Sequence, residues 1–300
     1  MLLIPTCSED ITTDMLMPYL GGIDVFRFNI DKWNEYAWDF SPAGFEVYSP
    51  DGKVLNGSNL KLVYMRKPMF FDLIDVPKNG CLANWCRKEI ERLWQDIYYD
   101  MAAKGRVALV HPSKAKWYKH TQMSLAQKFF KVPEWHIARG HIPDAVKDGE
   151  WVVKSLTQEL IGEGKVFICK RADIRKLDPY YPWFLQRRIQ ADYDITTLYV
   201  NGKLFSFRLD RSKLTRDDCR LETPNLTWEK CSLSPRDETA VNNFMRKTGF
   251  DFGRFDFLQK GADLYFLELN PNGQWAWLDL EHKYGIFECV ADEIKRSYAR

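Results

Sequence analysis

The segment Phe255-Asp256-Phe257, followed across a short polar turn by Leu267-Glu268-Leu269-Asn270-Pro271-Asn272-Gly273, constrains this chain more than any other. It reads as a β-hairpin built to hold a divalent cation. Side chains alternate between the faces of a strand, so Glu268 and Asn270 share one face while Leu267 and Leu269 point into a core. The same alternation isolates Asp256 between two phenylalanines. A three-residue loop at Gly261-Ala262-Asp263 would set Asp256 directly across from Glu268. Like charges opposed on a sheet are destabilising unless a cation lies between them, and carboxylate plus amide oxygens are the hard ligands that Mg²⁺ accepts. The bland alternative is an acidic face left to solvent. Polar residues interrupting otherwise apolar strands argue against it.

Length and composition bound what can surround that hairpin. Three hundred residues accommodate two or three packed subdomains, and 45% hydrophobic with 15% aromatic residues supplies a core. No apolar run approaches a membrane span. Met1 to Pro5 lacks the basic flank and small-residue cleavage site of a signal peptide, so a cytoplasmic protein is expected. The cysteines (Cys7, Cys81, Cys86, Cys169, Cys219, Cys231, Cys289) are odd in number and lack CxxC spacing, which fits reduced thiols. A net charge of +2 gives no ground for a nucleic-acid partner.

The first part alternates strands and helices. Leu2 to Ile4 and Val25 to Ile30 read as strands around a helix from about Asp10 to Leu20, and a turn follows at Pro50-Asp51-Gly52. Leu62 to Met65 reads as a strand, a long helix spans about Leu82 to Ala103, and Val107 to Val110 returns as a strand. Lys114 to Phe130 has a helical pattern. From Trp151 short strands dominate: Trp151 to Leu156, Val166 to Cys169, Trp183 to Ile189, and two long runs joined by Asn201-Gly202, the strongest hairpin signal in the chain. Helices are expected at about Pro235 to Thr248 and Ile286 to Tyr298. The expected class is α/β followed by α+β, in three parts: 1–112, 113–190 and 191–300.

Lys154 stands in the hydrophobic strand Trp151-Val152-Val153-Lys154, where an ammonium needs an anion. Eight residues on, Gly162-Glu163-Gly164 supplies a loop whose backbone N–H groups can approach phosphate closely. The spacing is not that of a P-loop, and GxG alone often marks a plain turn. Lys119 offers a second cation, with an exposed helix lysine as the competing reading. Two lysines, a glycine loop and a two-carboxylate hairpin together compose a nucleoside triphosphate site.

In this order the pieces resemble the ATP-grasp fold, in which two α+β subdomains clamp ATP behind a Rossmann-like N-terminal domain. Lys119, Lys154, Gly162 and Gly164, the strand Phe184-Leu185-Gln186-Arg187-Arg188-Ile189, Asp194-Ile195, and the Asp256, Glu268, Asn270 set carry the resemblance. Within that superfamily the chain is similar to the glutamate-ligase branch, especially the macrocyclases of microviridin or graspetide peptides. Leu62-Val63-Tyr64-Met65-Arg66-Lys67-Pro68 resembles their Arg-Arg-Pro strand, and Phe266 to Leu278 their C-terminal signature. The resemblance implies ATP and Mg²⁺ as cofactors and a precursor peptide with a leader and an acidic, hydroxyl- or Lys-bearing core as partner. It leaves a homodimer open.

The implied reaction forms an acyl phosphate on a carboxylate, which an amine or hydroxyl then displaces. Lys119 and Lys154 would bind the α- and β-phosphates and the Gly162 to Gly164 loop would close over the γ-phosphate. Gln186, Arg188 and Ile189 would frame the adenine, Asp194 the ribose, and Asp256, Glu268 and Asn270 would hold Mg²⁺. Arg208, Arg211 or Arg254 would steady the developing charge. Thr196 stands where the family commonly has arginine. Trp275 and Trp277 read as core packing rather than a peptide platform. The alternatives are a ligase joining an amino acid to a small molecule or peptide end, and a nucleotide-binding regulator without ligase activity.

Overall fold

The computed structural model describes residues 1–67, 80–115, 117–156, 170–171, 173, 176–214 and 226–300. The chain opens with β1 (Leu2–Thr6), buried at every position, then α1 (Ile11–Leu16) and β2 (Val25–Asn29). Asp10 starts α1 by accepting from the Thr12 backbone N–H at 3.2 Å. A meander of β3 (Ala37–Ser41), β4 (Gly44–Tyr48) and β5 (Val54–Asn56) turns at 50–52 and leads to β6 (Leu62–Val63) and α2 (Gly80–Ala103). The parallel order is β2-β1-β6. β6 is shorter than its sequence predicts, but Tyr64 and Arg66 still donate their N–H groups to Leu3 and Pro5 at 2.9 and 3.1 Å, so the chain runs beside β1 to Arg66. The expected strand at 107–110 reduces to one bridge, Val63 to Val107. Its course is broken at Leu109, whose φ of 60° lies outside extended backbone.

The helical pattern over 114–130 condenses into α3 (Lys119–Ala126). Trp117 packs against Phe244 and Phe250, with ring centroids 5.5 and 5.2 Å away, and Tyr118 is extended, so the helix begins only at Lys119. After the parallel sheet and the separate β3-β4-β5 meander comes an antiparallel sheet made of β7 (Trp135–Ala138), β8 (Trp151–Lys154), β9 (Lys170–Arg171) and β10 (Trp183–Arg187) in the order β7-β10-β8-β9. Gly162, Gly164 and the strand expected at 166–169 lie outside the described residues.

A five-stranded sheet contains β11 (Tyr193–Val200), β12 (Lys203–Asp210), β13 (Glu229–Cys231), β14 (Phe252–Lys260) and β15 (Asp263–Asn270) in the order β13-β12-β11-β14-β15. Asn201 and Gly202, at φ 42° and 92°, make the two-residue turn that their sequence calls for. α4 (Pro235–Thr248) begins where Ser234 Oγ accepts from the Asp237 N–H and ends at left-handed Gly249. α5 (Ile286–Tyr298) closes the chain.

Pairing in this sheet assigns its faces. Ile195, Tyr199, Phe255, Phe257 and Leu269 bury one face against α4 and α3 through Val241, Phe244, Met245, Met123 and Ala126. On the opposite face Leu198, Val200, Phe207 and Phe252 join α5 and the core of the first sheet. That second face also holds Asp194, Thr196, Arg254, Asp256, Glu268 and Asn270, with Leu209 and Leu258 buried on either side of Asp194.

Candidate functional site

Asp256 pairs with Glu268, although by another route than the loop expected from sequence. The turn has two residues, so Lys260 pairs with Asp263 and Phe257 with Phe266; a β-bulge between Asp256 and Phe257 then restores the carboxylate pairing. Leu267 is the extra residue. It lies half-buried instead of in the core, where Phe266 and Leu269 are.

β15 is the edge of its sheet, and a side chain of α3 pairs with its backbone. Gln122, 3% exposed, donates from Nε2 to the Leu269 carbonyl and accepts at Oε1 from the Leu269 N–H, each at 3.0 Å. Its carboxamide thus substitutes for a neighbouring strand. The segment after α3 extends the tie, since Phe266 N–H donates to the Lys131 carbonyl at 2.8 Å. These contacts set the first residue of α3, Lys119, in an ion pair with Glu268.

Around this pair the polar groups converge. Asn270 Nδ2 donates to Asp256 Oδ2 at 3.1 Å and to Glu268 Oε1 at 3.0 Å. Arg254 Nη2 donates to Asp256 Oδ2 at 3.0 Å, and Thr196 Oγ1 to Asp256 Oδ1 at 3.3 Å. Burial and then the Glu268 charge push the Asp256 carboxyl up, against Arg254. Burial works in the same direction on Glu268, but Lys119, Asn270 and Lys154 outweigh it and hold this carboxyl far below the usual range. One carboxylate is satisfied and the other is short of positive charge. Among the described residues no third acidic, His or Cys side chain joins them. Two carboxylates and an amide are an oxygen donor set that fits Mg²⁺ once the Asn270 amide turns its oxygen inward.

Lys154 and Gln186 come from the facing sheet. Lys154 Nζ donates to Gln186 Oε1 at 2.8 Å, and its charge reaches Glu268. Gln186 is 1% exposed, yet its Nε2 has no hydrogen-bond partner among the described residues, a donor left for a ligand. Beyond it opens a cleft of about 430 Å³ lined by Glu150, Arg187, Arg188, Ile189, Lys260 and Tyr265 among others. Arg188 and Ile189 line this cleft, while the two lysines and Gln186 are joined to the acidic pair through the Lys154–Gln186 bond and the reach of the Lys154 and Lys119 charges to Glu268. Arg211 Nη1 grips both Asp194 oxygens at 2.9 and 2.7 Å, on the same face as Asp256.

Arg208 does not belong to this group. It pairs with Ile195, one residue out of phase with Thr196, so strand alternation turns it to the opposite face. There it meets Glu229 at 3.1 Å and lies over the Tyr193 ring. Trp275 is fully buried as expected, whereas Trp277 is 36% exposed and stands beside Arg254 and Trp228.

Some residues of the site have no local signal in the sequence. Arg66, wholly buried, donates to Asn272 Oδ1 at 3.0 Å, the Gly273 carbonyl at 3.3 Å and Gln274 Oε1, and pairs with Asp10 at 3.8 Å. Asn272 returns a bond to the Arg66 carbonyl. The strand and the Pro-Asn-Gly turn, each singled out by resemblance, are thus docked on one another. The turn is close-packed as well. A Cβ on Gly273 would stand 3.0 Å from Arg254 Cβ and 3.1 Å from Asn270 Cβ.

No family model and no curated protein matches the sequence. Solved structures do. The macrocyclase MdnC from Microcystis aeruginosa MRC, bound with precursor peptide MdnA, aligns over 98% of this chain and 99% of its own at 21% identity, with a TM-score of 0.81. A RiPP-associated ATP-grasp ligase from Chryseobacterium gregarium, in complex with ADP and a leader and core peptide, gives 0.83 at 21% identity over 98% of this chain and 96% of its own. D-alanine–D-alanine ligase from Bacillus anthracis, complexed with ATP, covers 100% and 96% at 11% identity with a TM-score of 0.55. The fold is ATP-grasp.

Proposed function

We propose that this chain is an ATP-dependent carboxylate ligase that forms side-chain ester or amide crosslinks in a ribosomally made precursor peptide. The observation that carries the proposal is the acidic pair Asp256 and Glu268, with Lys119 on one side and Lys154 and Gln186 facing it from the other sheet. ATP would lie between the sheets, its base in the cleft at Arg188 and Ile189 and its phosphates along Lys154 and Lys119. Asp194, held by Arg211, would face the ribose. The three parts 1–112, 113–190 and 191–300 would act as a base and two jaws.

Asp256, Glu268 and Asn270 would hold Mg²⁺, which when bound draws charge from the phosphate oxygens. Lys119 and Lys154 neutralise what remains, and Gln186 Nε2 gains the acceptor it lacks. A substrate carboxylate oxygen bonds to the γ-phosphorus as the bond to ADP breaks. An amine or hydroxyl then displaces phosphate, so one water's mass is lost from the peptide for each bond. Arg254, beside Asp256, is placed to stabilise the charge that develops.

A peptide partner is favoured over a free amino acid because the peptide-bound structures superpose at TM-scores of 0.81 and 0.83 and the dipeptide ligase at 0.55. The test is mass spectrometry of a candidate precursor, a short peptide rich in Thr or Lys and acidic residues sought in a neighbouring gene, incubated with the protein, ATP and Mg²⁺. Loss of one water per bond is expected. An unchanged peptide, with ADP released only on adding free amino acids, would transfer the proposal to the small-molecule ligase.

A further inference from the structure

Three stations follow one another on the face of the β14–β15 hairpin that carries the acidic pair. Lys260 and Tyr265 border the cleft, Asp256 and Glu268 form the acidic pair, and Arg254 opposite Asn270 lies two residues farther on. At roughly 3.3 Å per residue the last station is ~20 Å from the first along β14. A nucleotide entering from the cleft engages Lys154 and Lys119 at the second station, and the third is left for something else.

At that station the cations outnumber their partners. Arg254 gives Nη1 to the Gln274 carbonyl at 2.9 Å and Nη2 to Asp256, but its buried Nε has no partner among the described residues. Arg66 holds the same 272–274 turn from the other side, and Lys67 follows it directly. Lys67 is half-buried and makes no hydrogen bond or ion pair among the described residues. Burial, then the Arg66 and Arg254 charges, push its ammonium down to about 8. Asp10 is taken by Arg66 and Asp256 belongs to the acidic pair, so among the described residues no anion is left for Lys67. Trp277, 5.9 Å from the Arg254 guanidinium and 5.4 Å from the Trp228 ring, walls one side.

We propose that Lys67 and Arg254 form the seat of the carboxylate to be activated, an aspartate or glutamate side chain of the substrate, with Trp277 and Trp228 beside it. The proposal rests on the ligase reading and names the group that the reading leaves unplaced. From this seat one carboxylate oxygen faces the γ-phosphoryl held at the second station. The new P–O bond forms there while the bond to the β,γ-bridging oxygen breaks and ADP leaves with the electron pair. The other carboxylate oxygen stays with Lys67 and the free Arg254 N–H.

Acetic anhydride labelling of lysines at about pH 8, read by peptide mass spectrometry with Mg²⁺ and ADP present, tests the seat with glutarate as the probe. Labelling of Lys67 should fall about tenfold when glutarate reaches about ten times its half-saturating concentration, while exposed Lys176 is unaffected. Arg254→Met should abolish that protection and Arg254→Lys should keep part of it. Unchanged labelling of Lys67 overturns the proposal, as does protection by inorganic phosphate but not by glutarate, which assigns the seat to phosphate. The wild-type experiment decides even if the Arg254 variants fail to fold. It needs no turnover, so its outcome is independent of the mass-loss test of the ligase reading.

Discussion

Gln122→Met isolates the tie between α3 and the sheet edge. Gln122 is 3% exposed and makes three hydrogen bonds of 3.0 Å: to the carbonyls of Trp117 and Leu269 and from the Leu269 N–H. Methionine fills a similar volume and makes none of them. A net hydrogen bond contributes roughly 1 kcal/mol and a buried group left unpaired costs roughly 1–3 kcal/mol. Two Leu269 groups and one of Trp117 lose their partner, and part of that cost is recovered by relaxation of α3 toward solvent. The expected loss is therefore roughly 2–4 kcal/mol, measured as a lower urea midpoint at unchanged slope. Lys119 lies one turn before Gln122, so its grip on Glu268 should loosen and the KM for ATP should rise more than kcat falls. Gln122→Glu should cost more at neutral pH, because a carboxylate would face two carbonyls. That position would bind its proton more tightly folded than unfolded, so its stability should improve as pH falls and be lost as pH rises through the raised folded-state pKa. A loss under about 1 kcal/mol for Gln122→Met would refute the argument that this amide closes the edge.

Asp256→Asn and Glu268→Gln should each abolish ATP consumption while circular dichroism stays native; undiminished consumption in either variant removes the metal assignment. Arg208→Ala should leave kcat/KM within about twofold, because Arg208 is on the far face and its exposed pair with Glu229 contributes little; a tenfold loss would contradict that placement. Lys67→Met should stabilise the fold at pH 7. The Lys67 ammonium falls from 10.5 to about 8 on folding, so the unfolded chain binds the extra proton between those values. The penalty is complete below pH 8 and fades toward pH 10.5, and Met removes roughly 1–3 kcal/mol of it at neutral pH. Urea titrations of both proteins at pH 7 and pH 10 check the sign: a gain that grows with pH would be the wrong way round.

What the sequence reveals of this site is what repeats with a short period. Alternation marks Glu268 and Asn270 as sharing one face and isolates Asp256 between two phenylalanines, and Asn201-Gly202 sets the register of β11 against β12. The same counting places Arg208 opposite Ile195. Its face relative to Asp256 depends instead on the pairing of β11 with β14, whose partners are some sixty residues apart, as Thr196 and Asp256 are. The bulge teaches the same lesson. A two-residue turn without it would pair Asp256 with Leu267 and turn Glu268 to the core, since a slip of one residue exchanges the faces of a strand. Nothing in Phe266-Leu267-Glu268 announces the extra residue; burial of Phe257 against Phe266 and of Phe255 against Leu269 selects it, by keeping all four aromatic and aliphatic side chains on one face. Gln122 to Leu269 and Arg66 to Asn272 join residues 147 and 206 positions apart through single side chains, and no periodicity encodes them. These long-range polar ties put Lys119 on Glu268 and bring Lys67 to Arg254. The chemistry of the site is thus spelled locally, but its assembly is determined by which buried amide and guanidinium groups find partners when the sheets meet.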